Sequence, residues 1–280
     1  MKGTMSAEHL NKELLETAPR SHQRGITANP SPGKSSLASD EALAISKHFS
    51  QYLQPQIALT DEYKQEVYNL RHQVYCEELH YEDEKSDHLE CDEFDERAIH
   101  CCIRHLGSAQ LAGTVRLITA NNNSELLPLQ EFCSTALTHA DLHPQRFLPR
   151  QICEISRLAV PAAFRKRQTD QFAGVATGAI NESTFSVQEL RFFPYIAISL
   201  YMAAIAMTYK TRRFHTFVMM EPRLARSLNF VGIHFQPIGP CIEYHGKRAP
   251  YYIDSRTIKS ELSPGYRKLL AIVQTALFSH

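Results

Sequence analysis

Hydrophobic positions recur along the chain with two different periods, which predicts a mixture of helices and strands. Helical spacing begins after Thr60 or Asp61, either of which is a suitable N-cap. Strand-like alternation predicts an antiparallel pair, residues 98–105 and 110–119, joined at Gly107-Ser108. In the same half we expect a short helix over residues 41–52, an extended segment over 56–59 and a helix over 129–142.

The second half is organised around one apolar strand and one apolar helix. Residues 152–160 predict a strand that Pro161 stops. Residues 194–210 predict a helix whose apolar side chains cover nearly its whole circumference, so we expect it inside the protein. The rest predicts a strand at 214–220, a helix at 222–230 ending at Gly232, a hairpin of 233–244 with 249–254, and a C-terminal helix at 263–280.

This order of elements predicts one α/β domain over residues 41–262, with a mixed, mostly antiparallel central sheet and helices on both faces. The chain has 280 residues, 43% of them hydrophobic, which suffices for a full core. Residues 1–40 include a stretch rich in Ser, Pro, Gly and Asn, and we expect a mobile tail there. Residues 165–191 lose the pattern and predict a long insertion.

Charge and cysteine content narrow the classes of function. Lys+Arg 30 balances Asp+Glu 30, so no overall field favours nucleic acid or an anionic membrane. The seven cysteines form no CxxC pair, and the longest near-apolar run, residues 195–207, is too short to span a bilayer. We therefore expect a cytoplasmic chain with neither a membrane span nor a nucleic-acid partner.

The predicted strand at 152–160 carries two charges in an apolar sequence. Regular pleating places Glu154 and Arg157 on opposite faces of a sheet. A bulge between them brings both to one side and leaves a backbone N–H unpaired, free to polarise a carbonyl. We therefore predict a bulge or splay of the central strand at 157–160.

Two further arginines lie beside apolar positions. Arg71 and Tyr75 share a helix face, and Arg71 there either keeps its guanidinium in water or has a partner. Arg116 lies within an aliphatic strand, where an unpaired charge is costly, so it requires a carboxylate such as Asp92 or Asp95.

Two other groups of residues suggest ligand binding less specifically. Arg165, Lys166 and Arg167 follow the turn out of the central strand, where positive charge meets a phosphate at a helix start, although a solvated surface also explains them. His139 and His143 have helical i, i+4 spacing but lack the Glu of a metalloprotease helix, so we expect no metal site.

Together these segments resemble the acyl-homoserine-lactone synthases and the related N-acyl amino acid synthases, a branch of the Gcn5-related N-acetyltransferase (GNAT) superfamily. The order of motifs carries the resemblance over about residues 50–255. It comprises Arg71 with Tyr75, the acidic loop Glu90 to Asp95, Gly113 to Leu117, and Glu154 to Arg157. In the segments LRHQVYCEE, EISRLAV, MEPRLARSLNFVGIHF and the hairpin from Tyr244, the chain looks most like acyltransferases associated with exosortase and PEP-CTERM sorting systems.

The resemblance implies a GNAT-like fold and transfer of a fatty acyl group from a phosphopantetheine thioester to the amine of a small acceptor. The implied catalytic residues are Glu154, Arg157, Arg71, Asp92, Asp95 and Arg116. The implied donor-binding residues are Leu158, Ala159, Val160, Arg165, Lys166 and Arg167. Glu154 would accept the amine proton, and either Tyr195 or Tyr201 would protonate the leaving thiolate.

Two departures from the family pattern bear on the substrates. The chain contains no tryptophan, whereas the lactone synthases place one shortly after the helix motif, which argues against S-adenosylmethionine as acceptor. The glycine-rich turn expected after Arg165 is absent, which favours acyl carrier protein over coenzyme A as the donor's carrier. The acyl thioester is a co-substrate, and we expect no permanently bound cofactor.

Three alternatives remain open at this point. The chain is an N-acyltransferase with an amino acid acceptor, a lactone synthase that uses S-adenosylmethionine, or a catalytically silent module that binds an acyl ligand. The charged residues around Arg116 also permit a purely structural role, since lost folding and lost acceptor binding look alike until stability is measured.

Overall fold

The computed structural model describes residues 49–165 and 196–279. The predicted tail at 1–40, residues 166–191 of the predicted insertion and the candidates Lys166, Arg167 and Tyr195 therefore lie outside the described residues. Residues 49–52 are helical, at the end of the helix predicted over 41–52.

The described strands form one sheet in the order β1-β2-β3-β4-β5-β8-β6, with β7 paired to β8. Their bounds are β1 (Leu53–Ile57), β2 (Ala98–His105), β3 (Leu111–Thr119), β4 (Ile152–Ala159), β5 (His215–Met220), β6 (Gln236–Pro237), β7 (Ile242–Glu243) and β8 (Lys247–Asp254). Only the β4–β5 pair is parallel among these strands. The mixed, mostly antiparallel sheet predicted from the sequence is confirmed.

Six α-helices of the described chain surround the sheet. They are α1 (Asp61–His72), α2 (Pro128–Phe132), α3 (Ile196–Thr211), α4 (Pro222–Val231), α5 (Ser255–Glu261) and α6 (Pro264–Phe278). Thr60 caps α1 by accepting a hydrogen bond from the Tyr63 N–H, and Gly232 ends α4 with a positive φ, as their sequences predict. No helix of the described chain is long and apolar enough to cross a membrane.

The two faces of the sheet have different roles. One face packs its aliphatic side chains, such as Val115, Leu117 and Ile155, against α3 and α6 in the main hydrophobic core. Helix α3 is buried over most of its length, which confirms the interior helix that its all-round apolar pattern predicts. The other face carries the side chains of Arg116, Ile118 and Glu154 and is covered by loops, so it is the face available for a site.

The predicted helix over residues 129–142 is wrong. Helix α2 ends at Phe132, and short 3-10 turns follow at Ser134–Ala136, Pro144–Arg146 and Pro149–Gln151. The imidazole of His139 accepts the N–H groups of Asp141 and Leu142, a local arrangement that competes with helical hydrogen bonds. His139 and His143 therefore do not lie one turn apart on a helix.

Strands β4 and β5 separate part of the way along their length. Their parallel ladder runs from Ile152 opposite His215 to Ile155 opposite Val218. Beyond that point β4 continues to Ala159 and β5 to Met220 without pairing with each other. The central strand is thus splayed from its neighbour, as predicted, and the gap opens beside Arg157.

Candidate active site

Strand β4 contains a bulge at Arg157. Ser156 lies opposite Arg116 and Ala159 lies opposite Thr114, so β4 has one residue more than β3 over this interval. Arg157 adopts a φ of 49°, in the left-handed region that a side chain other than glycine rarely occupies. The bulge predicted at 157–160 is present, and it places the side chains of Glu154, Ser156 and Arg157 around one pocket.

Glu154 is buried and faces the pocket with one free carboxylate oxygen. Its Oε2 accepts the backbone N–H of Leu129 at 2.9 Å, and no described residue donates a hydrogen bond to Oε1. Burial raises the pKa of Glu154 to about 7, against the opposing effects of the Leu129 N–H and of Arg116. A carboxyl group with this pKa exchanges a proton readily near neutral pH.

Arg71, Arg116 and Asp95 form a buried ion cluster behind the pocket. Arg71 donates through Nε to Glu90 Oε2 at 2.5 Å and through Nη1 to Asp95 Oδ1 at 2.8 Å. Arg116 Nη1 donates to the same oxygen of Asp95 and to Asp92 Oδ1, each at 2.6 Å. Burial alone would raise the pKa of Asp95, but Arg71 and Arg116 hold it well below its usual range.

The carboxylate partners predicted for Arg116 are therefore confirmed. Arg71 is fully buried, so of its two alternatives the partnered one is correct. Asp92 also caps the 3-10 turn Glu93–Arg97, and Asp95 accepts the Asp92 N–H in return. The acidic loop is thus folded around the two guanidinium groups.

Arg157 joins this cluster from the bulge. Its Nε donates to Glu90 Oε1 at 3.1 Å, and its Nη2 donates to Glu82 Oε1 at 3.2 Å and Asp92 Oδ2 at 3.4 Å. The guanidinium also lies over the ring of Tyr75, 5.6 Å from its centroid. These contacts hold a strained backbone position in place.

Two hydrogen bonds attach α1 and its π-helical extension, Gln73–Glu78, to the neighbouring segments of the site. The Tyr75 hydroxyl donates to the carbonyl oxygen of Leu158 at 2.8 Å, directly after the bulge. The Lys85 N–H donates to Nε2 of His72 at 3.0 Å, while Nδ1 of His72 lies 3.1 Å from Glu77. His72 thereby holds the loop that supplies Glu82 and Glu90.

His72, Glu77 and His88 place three potential metal-ligand atoms within 4.8 Å of one another. Because Nε2 of His72 accepts the Lys85 N–H, Nδ1 carries the proton and donates to Glu77. In this arrangement His72 has no nitrogen lone pair for a metal ion.

The predicted donor-binding residues lie together at the end of β4. Leu158 and Ala159 close the strand after the bulge, and Val160 follows them. Arg165 forms an ion pair with Glu78, whose carboxylate also accepts the Ala162 N–H at 3.1 Å. The Arg165 guanidinium, which the sequence predicts to meet a phosphate, is therefore bound to the Glu78 carboxylate in the structure, and so is the backbone N–H of Ala162.

The pocket is a cavity of about 50 Å³ between β3 and β4, the segment of Tyr81 and Glu82, and the β7–β8 hairpin. Sequence reasoning found three of its charged lining residues, Arg116, Glu154 and Arg157. It assigned no role to the others, which are Tyr75, Tyr81, Glu82, Pro128, Ser156, Met219, Tyr244, His245 and Arg248. Tyr201 does not line this pocket and belongs to the core.

The hairpin residues had a recognisable signal. Gly246, with a φ of 88°, marks the turn that brings Tyr244, His245 and Arg248 to the pocket. Ser156 shared the strand motif with Glu154 but gave no separate indication of its contact with Arg116 Nε at 3.1 Å.

Comparisons with known proteins give a family match over part of the chain. Residues 70–175 match the family model described as an acetyltransferase (GNAT) domain. No curated protein matches the chain.

Solved structures of several proteins are similar to this chain. TofI, in a ternary complex with an inhibitor and MTA, has a TM-score of 0.53 and 16% identity, over 77% of this chain and 99% of TofI. BjaI, a CoA-dependent acyl-homoserine lactone synthase with MTA, has a TM-score of 0.52 and 18% identity, over 79% of this chain and 87% of BjaI. FeeM, an N-acyl amino acid synthase from uncultured soil microbes, has a TM-score of 0.49 and 14% identity, over 75% of this chain and 94% of FeeM.

The segment matched by the family model contains the end of α1, the acidic loop, β3 and the bulged strand β4. Strand β5, which separates from the end of β4, lies outside this segment. Over residues 70–175 this chain is similar to the acetyltransferase (GNAT) domain, and it shares its fold with TofI and BjaI.

Proposed function

We propose that this protein is an N-acyltransferase that moves a fatty acyl group from a phosphopantetheine thioester to the amine of a small acceptor, an amino acid. The observation that carries the proposal is Glu154, a buried carboxyl group with a pKa raised to about 7, facing a pocket beside the bulge of β4. Amide formation needs a neutral amine, a polarised thioester carbonyl and a proton for the leaving thiolate.

Glu154 supplies the base. Its free oxygen, Oε1, accepts a proton from the acceptor ammonium directly or through one water molecule, and the neutral amine then attacks the thioester carbon. The tetrahedral intermediate collapses by breaking the C–S bond, and the departing thiolate takes the second proton lost by the amine nitrogen and leaves as the thiol. The Leu129 N–H on Oε2 fixes the orientation of the carboxyl group during this transfer. Because the pKa of Glu154 is near 7, its ionised form is present at neutral pH and still basic enough to take the proton.

The end of β4 supplies the electrophilic assistance. The bulge interrupts the ladder with β3, and the splay ends the ladder with β5. In our proposal the thioester arm enters the gap between β4 and β5. Backbone N–H groups from Leu158 to Val160 then polarise the carbonyl and stabilise the oxyanion.

In the ion cluster, Arg116 and Arg157 line the acceptor pocket, and Arg71, Asp92 and Asp95 hold these two arginines from behind. Each guanidinium group of the cluster already contacts at least two carboxylates. The main contribution of the cluster is therefore to fix the bulge and the side of the pocket next to Glu154, because guanidinium groups that each meet at least two carboxylates have little charge left for a ligand.

Arg165 and the turn at Ala162 are the proposed contact for the donor's phosphodiester. A phosphate there would take the place of the Glu78 carboxylate on the Ala162 N–H and the Arg165 guanidinium. The sequence that follows Arg165 has no glycine-rich turn, so we favour acyl carrier protein over coenzyme A. With seven free cysteines, the protein would act in a reducing compartment such as the cytoplasm.

The test is acyl transfer by the purified full-length chain. Dodecanoyl and hexadecanoyl thioesters of acyl carrier protein and of coenzyme A are each offered with the twenty amino acids and with S-adenosylmethionine, and products are identified by mass spectrometry. We expect N-acyl amino acids, formed faster from the carrier protein and not formed by Glu154→Gln.

Other products contradict the proposal in distinct ways. An acyl-homoserine lactone as the sole product would identify a lactone synthase. Saturable binding of the thioesters without any product, across the whole panel, would identify an acyl-binding module. A Glu154→Gln variant with the full transfer rate and unchanged donor affinity would remove Glu154 from the role of base.

A further inference from the structure

Arg248 differs from the other arginines of the pocket in having no carboxylate partner. The other two arginines that line it, Arg116 and Arg157, are paired with Glu82, Glu90, Asp92 and Asp95. Within residues 49–165 and 196–279, no carboxylate lies within ion-pair distance of Arg248, and its buried Nε has no hydrogen-bond partner. The pocket therefore contains one positive charge that the protein itself does not neutralise.

The surroundings of Arg248 orient its guanidinium for a ligand. The group lies over the ring of Tyr81, with Cζ 5.6 Å from the centroid. The aromatic ring thus attracts the guanidinium from one side, and a planar guanidinium keeps its N–H groups in its own plane for a ligand. An aromatic ring beneath a guanidinium together with unbonded N–H groups favours two parallel hydrogen bonds to a planar anion such as a carboxylate.

Arg248 is also held by a regular element. It is the second residue of β8 and lies opposite Ile242 of β7, directly after the turn that contains Gly246. The next residues of β8, Ala249 and Pro250, lie opposite Met220 and Met219 of β5. Arg248 is thus fixed to the same sheet as Glu154, with Met219 on the pocket wall between the strands.

The pocket accordingly offers two charges without a partner, the guanidinium of Arg248 and the carboxyl group of Glu154. A zwitterionic acceptor has the complementary pair, a carboxylate for the first and an ammonium for the second. We infer that Arg248 binds the α-carboxylate of the acceptor and so selects amino acids over simple amines. This inference rests on the proposed function, since it names the substrate class that the same site accepts.

The experiment compares Arg248→Gln with the wild-type enzyme on a matched pair of acceptors. The acceptors are the amino acid that the wild-type chain acylates best and the α-amide of the same amino acid, which keeps the amine but lacks the carboxylate. We expect the amide to have a KM about 10- to 100-fold above that of the acid in the wild-type enzyme. Arg248→Gln should raise the KM for the acid to a similar extent, with little change in kcat and none in the KM for the amide.

Two further variants serve as controls. Lys247→Gln removes the exposed charge next to Arg248, on a residue that does not line the pocket, and should leave both KM values unchanged. Arg248→Lys keeps a positive charge but loses the planar fork, so its KM for the acid should be intermediate. Thermal unfolding shows whether each variant folds. If Arg248→Gln does not fold, the KM values of Arg248→Lys are compared with those of the wild-type enzyme.

The possible failures are distinguishable. If the wild-type chain acylates no amino acid, the proposed function fails and the inference fails with it. If it acylates amino acids while Arg248→Gln affects acid and amide equally, only the inference is wrong. A rise in the KM for the acyl donor, with that for the acid unchanged, would mean that Arg248 binds a phosphate of the donor instead.

Discussion

Arg157 and Glu154 line the same pocket although they are three residues apart on one strand. A regular strand would direct them to opposite faces of the sheet. The extra residue in β4 and the left-handed backbone of Arg157 remove that separation. The site therefore depends on a local distortion of β4 and on the ion pairs that hold it.

Replacement of Arg157 by glycine or alanine tests the distortion itself. Both variants lose the contacts with Glu90, Glu82 and Asp92, but only glycine adopts a positive φ without strain. We expect Arg157→Gly to be more stable than Arg157→Ala by about 1 kcal/mol in chemical denaturation. In a regular strand the order reverses, because glycine there is less stable than alanine.

Neutralising Asp95 should cost far more stability than neutralising Asp92. Asp95 is buried and bridges Arg71 and Arg116, whereas Asp92 is more exposed. We expect Asp95→Asn to lower the free energy of unfolding by about 3 to 5 kcal/mol at pH 7 and Asp92→Asn by less. If the two variants lose the same free energy of unfolding, the ion pairs of Asp95 with Arg71 and Arg116 are not the main stabilising contacts of the cluster.

The effect of Asp95 should also depend on pH. Its pKa is held below the value of an unfolded aspartate, so the stabilisation is present above about pH 4 and is lost as the pH falls further. The difference between the wild-type chain and Asp95→Asn should therefore shrink in acid. A difference that stays constant from pH 7 down to pH 3 would contradict the assigned direction of the shift.

Glu154 should have the opposite pH dependence. Its pKa is about 7 in the folded chain and about 4.5 in the unfolded one, so folding becomes less favourable as the pH rises between these values. The side-chain amide oxygen of the Glu154→Gln variant still accepts the Leu129 N–H. We expect the two proteins to be equally stable at pH 4.5 and the variant to be more stable at pH 8 by up to about 3 kcal/mol.

Gly113 allows β3 to approach its neighbours closely. An added Cβ would lie 2.8 Å from Leu200 Cδ1 on α3 and 2.9 Å from the carbonyl oxygen of Ala159 at the end of β4. The oxygen belongs to the backbone beside the bulge and cannot move freely. We expect Gly113→Ala to lower the free energy of unfolding by about 1 to 3 kcal/mol in urea titrations.

Gly246→Ala provides the control for this prediction. Its added Cβ meets no atom within 4 Å, so only the strain of its positive φ remains, about 1 kcal/mol. A Gly113→Ala variant as stable as the wild-type chain would show that β4 adjusts to the added methyl group at no cost.

The sequence predicts the paired part of the site because burial and charge constrain it. Arg116 in an aliphatic strand requires a carboxylate, and the structure supplies Asp92 and Asp95. The bulge was predictable for the same reason, since Glu154 and Arg157 are otherwise divided between two faces. Periodicity likewise predicted most strands and the buried helix α3.

Other features depend on contacts that no local pattern contains. The helix predicted over residues 129–142 ends at Phe132, and the backbone N–H groups of Thr138 and His139 bond to the carbonyl oxygen of Ile238, a residue distant in the sequence. In the sequence, Arg248 is one of several charged residues of its hairpin. In the structure, Arg248 is distinguished by having no carboxylate partner among the described residues, where Arg116 and Arg157 each have at least two. Spacing in the sequence does not show which carboxylates pair with which arginines.

The pH dependence of kcat/KM for acyl transfer tests the role of Glu154 most directly. With the amino acid that is acylated best, the wild-type rate should rise with pH through an apparent pKa near 7, as Glu154 loses its proton. Glu154→Gln, with unchanged affinity for the acyl donor, should lose at least about 100-fold in kcat/KM and lack this rise. A wild-type profile with no ionisation near pH 7, or a Glu154→Gln variant that keeps the same profile and rate, would contradict the role of Glu154 as the base.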